Sequence, residues 1–278
     1  MPGKLYVCAT PIGNLEDITL RALQTLRAVD LIAAEDTRHT KRLLNHYEIH
    51  TPLISYHQHN ERDRSDEILQ MLREGKQIAL VSDAGTPAIS DPGQILVGRC
   101  RDEGLTVTAL PGACALITAL SMSGMDSRRF VFEGFLPVNK RERTAVLQRL
   151  TEETRTVILY EAPHRLADTL RTLSQALGGR RRAAAVRELT KKFEEIRMAP
   201  LGDLCAHYEE TEPKGEFVLL LEGCEETQLT LERQARWEAM SLAEHMALYA
   251  HLPEKDAMKK VAKDRGVSKR DIYEQLKT

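Results

Sequence analysis

Short apolar runs recur along the chain as far as residue 223, each cut off by Gly, Pro, Asp or Asn, and apolar residues at helical spacing fill the gaps. Residues 5–9 (LYVCA), 30–34, a short run near Leu53, 77–81 and 105–110 are too brief for helices and read as buried strands. Leu20, Leu23 and Leu26, then Ile68, Leu69 and Leu72, fall on helical faces between them, and Asp17 is placed to cap the first of these helices. Strands alternating with helices predict a parallel sheet. A second half starts near Gly124. Residues 130–132, 157–160 and 216–223 read as strands, Leu166, Leu170, Leu173 and Leu177 as one helix face, and RRRAAAVRELT with residues 193–198 as a strand pair. Links of both kinds predict a mixed sheet there. Beyond Glu226 the spacing is helical only: one helix from Trp237 to Leu252, one over 254–265, a turn at Gly266, and a third capped by Ser268 and reaching Leu276. The expected architecture is α/β, with domains at 1–122 and 123–226 and a helix-turn-helix-like appendage at 227–278.

The longest interruption is the stretch ALVSDAGTPAISDPG at 79–93. A strand there runs into about nine loop residues before the helical pattern resumes, where an ordinary connection has roughly two to six. Carboxyl ends of strands in open α/β sheets are where ligands bind, and Gly85 and Gly93 let backbone approach a ligand. Asp83, at the strand end, can accept from a ribose hydroxyl or an ammonium group. The plainer alternative is a βα connection with a carboxylate cap. Glu35, Asp36 and Arg38 in EDTRHT fall at the same rim, and for each of them a capped helix with an internal ion pair is the competing explanation.

Composition narrows the chemistry. At 278 residues the chain exceeds one compact core, and the net charge of −2 restricts any nucleic-acid contact to local patches. Five scattered cysteines without a CxxC pair fit a reducing cytoplasm and indicate neither zinc nor a disulfide framework. His57 and His59 lack a clear third ligand, so a metal is not expected. No apolar run is long enough to span a membrane. The dinucleotide fingerprint GxGxxG and the phosphate loop GxxxxGK[ST] are both missing.

The motifs LYVCATPIGNLEDIT, EDTRHT, SDAGTPAISDPG, LPGACALITAL, EGFLP, YEAPHR, RELTKKFEE and KGEFVLLLEG, in this order, resemble the ribosomal RNA small subunit methyltransferase I family, within the S-adenosylmethionine-dependent tetrapyrrole methylases. The resemblance spans nearly all of residues 4–223. It implies two α/β domains with the methyl donor in the cleft between them. It also implies transfer of the methyl to the ribose 2′-oxygen of a cytidine in the decoding region of 16S rRNA, within the assembled 30S subunit, by a homodimer. Carried onto this chain, the resemblance places Pro11, Ile12, Asp83, Gly85, Thr86, Cys114, Ala115, Tyr160, Glu188 and Gly215 at the donor.

Glu35, Asp36, His57, Glu133 and Glu188 are candidate bases, and sequence does not choose among them. Arg38, Arg143, Arg165, Arg187 and Lys191 could hold phosphates, or be plain surface charges. Residues 180–192 carry six basic side chains against Glu188 alone, which favours an anionic partner. In the appendage, Lys255, Lys259, Lys260 and Lys263 can share one helical face while Met258, Val261 and Ala262 turn inward. A tetrapyrrole methyltransferase and a non-catalytic RNA-binding assembly protein are the alternatives.

Overall fold

Continuous burial along the apolar runs explains how the chain folds in the computed structural model, which describes residues 2–225, 235, 237 and 239–277. Strands β1 (Lys4–Cys8), β2 (Leu31–Ala34), β3 (Leu53–Ser55), β4 (Gln77–Val81) and β5 (Thr106–Leu110) form a parallel sheet in the order β3-β2-β4-β1-β5. Ile78 and Leu80 of β4 pack on one side with Ile68, Leu69 and Leu72 of α3 (Glu61–Arg73) and Leu96 of α4 (Gln94–Asp102). Ala79 and Val81 pack on the other with Leu26 of α1 (Leu20–Ala28) and Leu44 of α2 (Thr37–His46). The two-residue period of β4 thus feeds two cores, so helices cover both faces. Thr19, not Asp17, caps α1, its hydroxyl accepting from the Ala22 N–H at 3.1 Å. Asp17 lies in a preceding 3-10 turn.

From β1 the chain crosses to β2 past β4, and from β4 it crosses to β5 past β1. The loops after these adjacent strands therefore leave in opposite directions and open a crevice between them.

The second sheet has the order β6-β7-β10-β8-β9, from β6 (Phe130–Gly134), β7 (Thr156–Glu161), β8 (Arg182–Arg187), β9 (Glu195–Pro200) and β10 (Phe217–Leu221). Only the β6–β7 pairing is parallel, so the sheet is mixed. Val157, Leu159, Leu219 and Leu221 face α6 (Lys140–Thr151), α7 (Pro163–Leu177) and α8 (Leu201–Glu210). Ile158, Val186, Val218 and Leu220 face the opposite way, against Leu116, Ala119 and Leu120 of α5 (Ala115–Ser123) and against Ile12. Helix α5 follows the first sheet in sequence yet completes the core of the second. By packing, the break between the two cores falls at the turn before Ala115, whereas the division after residue 122 leaves all of this helix but Ser123 with the first domain.

The appendage holds α9 (Leu242–Leu248), α10 (Glu254–Arg265) and α11 (Lys269–Lys277). No single helix runs from Trp237 to Leu252, because Ser241 starts a new one through a reciprocal cap with Glu244. Residues 226–234, part of the boundary region, lie outside the described residues. Ala257, Met258, Val261 and Ala262 are buried, while Lys255, Lys259, Lys260 and Lys263 are exposed, as their spacing requires.

The basic segment 180–192 is mostly committed to the fold. Half-buried Arg181 donates to the carbonyls of Glu222 at 2.7 Å, Leu150 at 3.1 Å and Glu153 at 2.8 Å. Arg182 pairs with Glu222. Arg187 donates to the Lys214 carbonyl at 2.6 Å, and Lys191 bridges two glutamates. Arg181→Met should remove three hydrogen bonds, although the Glu153 carbonyl keeps the Cys224 N–H at 2.7 Å and the Leu150 carbonyl keeps the Glu153 N–H at 3.4 Å, and it should lower stability by about 1–3 kcal/mol. Urea unfolding would register this as a lower midpoint at unchanged slope; an unaltered midpoint would remove Arg181 from the fold's supports.

Candidate active site

The connections after β1, β4 and β5 are joined at the carboxyl rim of the first sheet. Thr10 and Gly85 exchange backbone hydrogen bonds of 2.8 and 3.1 Å, and the Thr10 hydroxyl donates to the Ser82 carbonyl at 3.1 Å. Thr86 donates to the Ala113 carbonyl at 3.1 Å. Gly85 has φ +80°, and a Cβ there would press on Ile12 Cγ2 at 3.2 Å, so glycine serves both the backbone and the space. The far end of the loop is also held: Glu61 Oε1 accepts from the Gly93 N–H at 2.9 Å and from the Tyr56 hydroxyl at 3.0 Å. Between these anchors Ala88 and Ser90 adopt φ +66° and +60°, left-handed conformations costing each about 1 kcal/mol.

A cavity of about 430 Å³ opens over this rim. Ile12, Gly85, Thr86, Ile89, Ser90 and Asp91 line it from the first domain, with Cys114 and Ala115 at the start of α5. Phe135, Tyr160, Val186, Leu189, Glu216 and Val218 face them from the second. The Tyr160 hydroxyl accepts from the Leu116 N–H at 3.2 Å, its ring stands edge-on to Phe132 and Phe135, and burial pushes its phenol up to about 12.

Of the residues expected at the donor, Ile12, Gly85, Thr86, Cys114, Ala115 and Tyr160 are brought together here, while Pro11, Asp83, Glu188 and Gly215 are not among the lining residues. Asp83 instead ties two strand ends, its Oδ1 accepting from the Asp36 N–H at 2.9 Å. Glu188 accepts from Lys191 at 2.9 Å and from the Glu216 N–H at 3.0 Å, which shapes the wall on which Glu216 stands. Gly215, at φ +83°, leaves the space that the Glu188 side chain fills.

The candidate bases separate. Asp36 caps α2 and binds Arg38 through both oxygens, which holds its carboxyl far below the usual range and makes it a poor proton acceptor. Glu133 sits opposite Arg149 at 3.4 Å, outside the cavity. Glu188 is lowered by the Lys191 ammonium and the Glu216 N–H, which outweigh its burial. His57, whose N–H donates to Asn60 at 2.8 Å, has a buried Nδ1 with no partner. Glu35 is raised, first by burial and then by Asp83. Asp91 is raised further, to about 7, by burial first and then by Glu35, against the nearby Ser82 hydroxyl. Sequence reading passed over Asp91 because Asp83 stands nearer the strand end, although both lie in the same long loop. Glu216 and Phe135 were missed too; each adjoins a turn glycine, Gly215 and Gly134, which is the signal that could have found them. Among the described residues no three His, Cys, Asp or Glu are grouped as metal ligands.

The candidate phosphate holders divide in the same way. Arg165 is committed to Glu161 at 3.6 Å and to the Leu136 carbonyl at 2.7 Å, and Arg187 and Lys191 to the bonds given above. Arg38, Lys259 and Lys263 are exposed, Lys259 beside Asp256, while Arg143 is half-buried next to Leu136 and Arg165. Lys41 and Arg42 extend the exposed positive face of α2, and a second cavity of about 560 Å³ borders Arg38, Lys41, Asn45 and His50.

Two α/β domains enclosing a cleft at a switch point define a class. Residues 4–205 match the family model of the tetrapyrrole (corrin/porphyrin) methylases. The uroporphyrin-III C-methyl transferase of Thermus thermophilus, solved with S-adenyl homocysteine, has this fold at TM-score 0.57 and 17% identity, over 79% of this chain and 97% of that one. Within that class, the chain belongs to the ribosomal RNA small subunit methyltransferase I family. It is 48% identical to the Synechocystis sp. member over 98% of this chain and 96% of that one, and 48% identical to the Escherichia coli O157:H7 member over 98% and 93%.

Gly215→Ala should set a methyl group against Glu188 in left-handed backbone and cost about 1–3 kcal/mol. Adding Glu188→Ala should recover part of that loss, so the double variant melts above the sum of the single effects; strict additivity in calorimetry would show that the two do not share this space.

Proposed function

We propose that this chain transfers the methyl group of S-adenosylmethionine to the ribose 2′-oxygen of a cytidine in the decoding region of 16S rRNA, without a metal. The observation that carries this reading is the cavity at the switch point, walled by both domains and bordered by half-buried carboxylates. Its volume of about 430 Å³ suits a nucleoside-sized ligand. Ile12, Ala115, Val186, Leu189 and Val218 offer flat apolar walls to a purine, while the backbone at Gly85 and Thr86 and the side chains of Tyr160 and Glu216 are polar edges. These residues fit the donor, and they would hold it. When bound, it supplies a methyl group on a sulfonium that already carries its leaving group.

The chain's own work is then placement. The Thr10–Gly85 pairing fixes the loop against which the donor rests, and the second domain's wall confines it, so acceptor and donor meet at one geometry. A ribose hydroxyl reaches such a cleft only from a nucleotide turned out of its stack. We assign the backbone contacts to the exposed cations of α2 and α10, and the working form to a cytoplasmic homodimer acting on the assembled 30S subunit.

The test is methyl transfer from labelled S-adenosylmethionine to 30S subunits of a strain lacking this enzyme. Nuclease digestion and mass spectrometry should find one 2′-O-methylcytidine, formed faster on subunits than on naked rRNA; label on a tetrapyrrole and none on rRNA would overturn the proposal. Gly85→Ala should weaken donor binding in calorimetry about tenfold by crowding Ile12, and affinity unchanged would move the donor elsewhere. Replacing Lys260 and Lys263 by Ala should flatten the salt dependence of subunit binding by about one to two units of slope, and an equal slope would free α10 from RNA contact.

A further inference from the structure

We infer that Asp91 is the group that takes the proton from the acceptor hydroxyl. The inference rests on the proposed ribose methylation.

Asp91 lines the cavity, whereas Asp36, His57, Glu133 and Glu188 do not. Its backbone is aimed at a cost: left-handed Ser90 precedes it, Pro92 follows it, and the Ala88 N–H closes the turn on the Pro92 carbonyl at 3.3 Å. A plain loop has no need of two non-glycine residues in that conformation, and such strain gathers where one side chain must be positioned. Gly134 of the second domain gives the preceding Ser90 room, since a Cβ there would stand 3.1 Å from Ser90 Oγ.

The surroundings keep Asp91 free to accept a proton. Ser82, just past the end of β4, lies near enough to lower it, though its hydroxyl is directed at the Ala84 and Gly85 carbonyls at 3.4 Å; Glu35 and Asp83 repel it from the ends of β2 and β4. Tyr160, from β7, lies close enough to be raised by its charge. Glu61 of α3 is turned to the Gly93 N–H, and Glu161 and Glu216 line the far wall. No Lys or Arg lines the cavity among the described residues. Asp91 therefore has no ion pair to hold it ionised, in contrast to Asp36 and Glu188. Burial and the neighbouring carboxylates lift it to about 7, where a base is both available and strong at working pH.

In the step, Asp91 takes the proton as the O2′–H bond breaks. The oxygen's electron pair forms the new bond to the methyl carbon, and the pair of the breaking carbon–sulfur bond stays on sulfur, leaving a neutral thioether. Charge and atoms balance without a further reactant.

The experiment is single-turnover methylation of 30S subunits against pH, with a titration of the free protein alongside. Wild type should show a rate rising with unit slope and levelling off above about pH 7. At saturating S-adenosylmethionine, Asp91→Asn should slow the step by about 100- to 10,000-fold and abolish that limb, with subunit affinity within about twofold and an unchanged melting temperature. Asp91→Glu should recover part of the rate. Glu35→Gln should move the midpoint to lower pH, because one repelling charge is gone. Carbon-13 NMR of the aspartate carboxyls should show one group titrating near 7 in wild type and none in Asp91→Asn. Asp91→Asn within about threefold of wild type, or no aspartate titrating above about 5, would overturn the assignment. Failure of wild type to methylate rRNA would instead overturn the ribose reading, and the NMR titration would still decide the state of Asp91.

Discussion

Everything at the site depends on the short antiparallel bridge between Thr10 and Gly85, which sets the ends of β1 and β4 face to face where their connections diverge. Parallel neighbours in a sheet leave their carboxyl-end loops unpaired, and a loop as long as 83–93 would otherwise sample many shapes. The bridge fixes one end, and the Glu61 carboxylate, bonded to Tyr56 and the Gly93 N–H, fixes the other. Only with both ends held can Ala88 and Ser90 remain in left-handed backbone, since that strain must be outweighed by contacts around it. The two cores beneath, one on each face of the sheet, supply that support.

The strands and their order of appearance were legible because burial on both faces forces continuous apolar runs, as in QIALV and FVLLL. What stayed hidden depended on contacts between distant residues. Helix α5 reads as the next helix of the first domain, yet its Leu116, Ala119 and Leu120 match the second sheet, and no local pattern records which sheet a helix will cover. The basic run at 180–192 misled for a related reason: Arg181 and Arg187 answer carbonyls, and their partners come from Leu150, Glu153, Lys214 and Glu222. Asp83 and Asp91 look alike in sequence. One is consumed by a backbone N–H across the rim and the other faces the cavity, a difference made by the path of the loop.

The charge pattern follows from the same geometry. Carboxylates gather at the strand ends, with Asp83 close enough to raise Glu35 and both close enough to raise Asp91, and they persist because burial there is only partial. Outward from them the sign changes. Asp36, held by Asp83, caps α2, and the helix then carries Arg38, Lys41 and Arg42 away from the rim. One hydrogen bond thus sets the start of a positive face at the edge of a negative cleft.

That division explains how a chain of net charge −2 can engage a polyanion. The cleft holds Asp91 near Glu35 and Asp83 and no Lys or Arg lines it among the described residues, so on the proposed reading a nucleic-acid backbone is kept outside, on α2 and α10. A ribose hydroxyl is neutral and suffers no such repulsion, and a sulfonium donor is cationic and is drawn in. The neutral thioether left after transfer loses that attraction. On that reading the rim carboxylates sort the three ligands by charge: they would admit the donor, exclude the phosphates beside the acceptor, and hold the product less tightly once the methyl has gone.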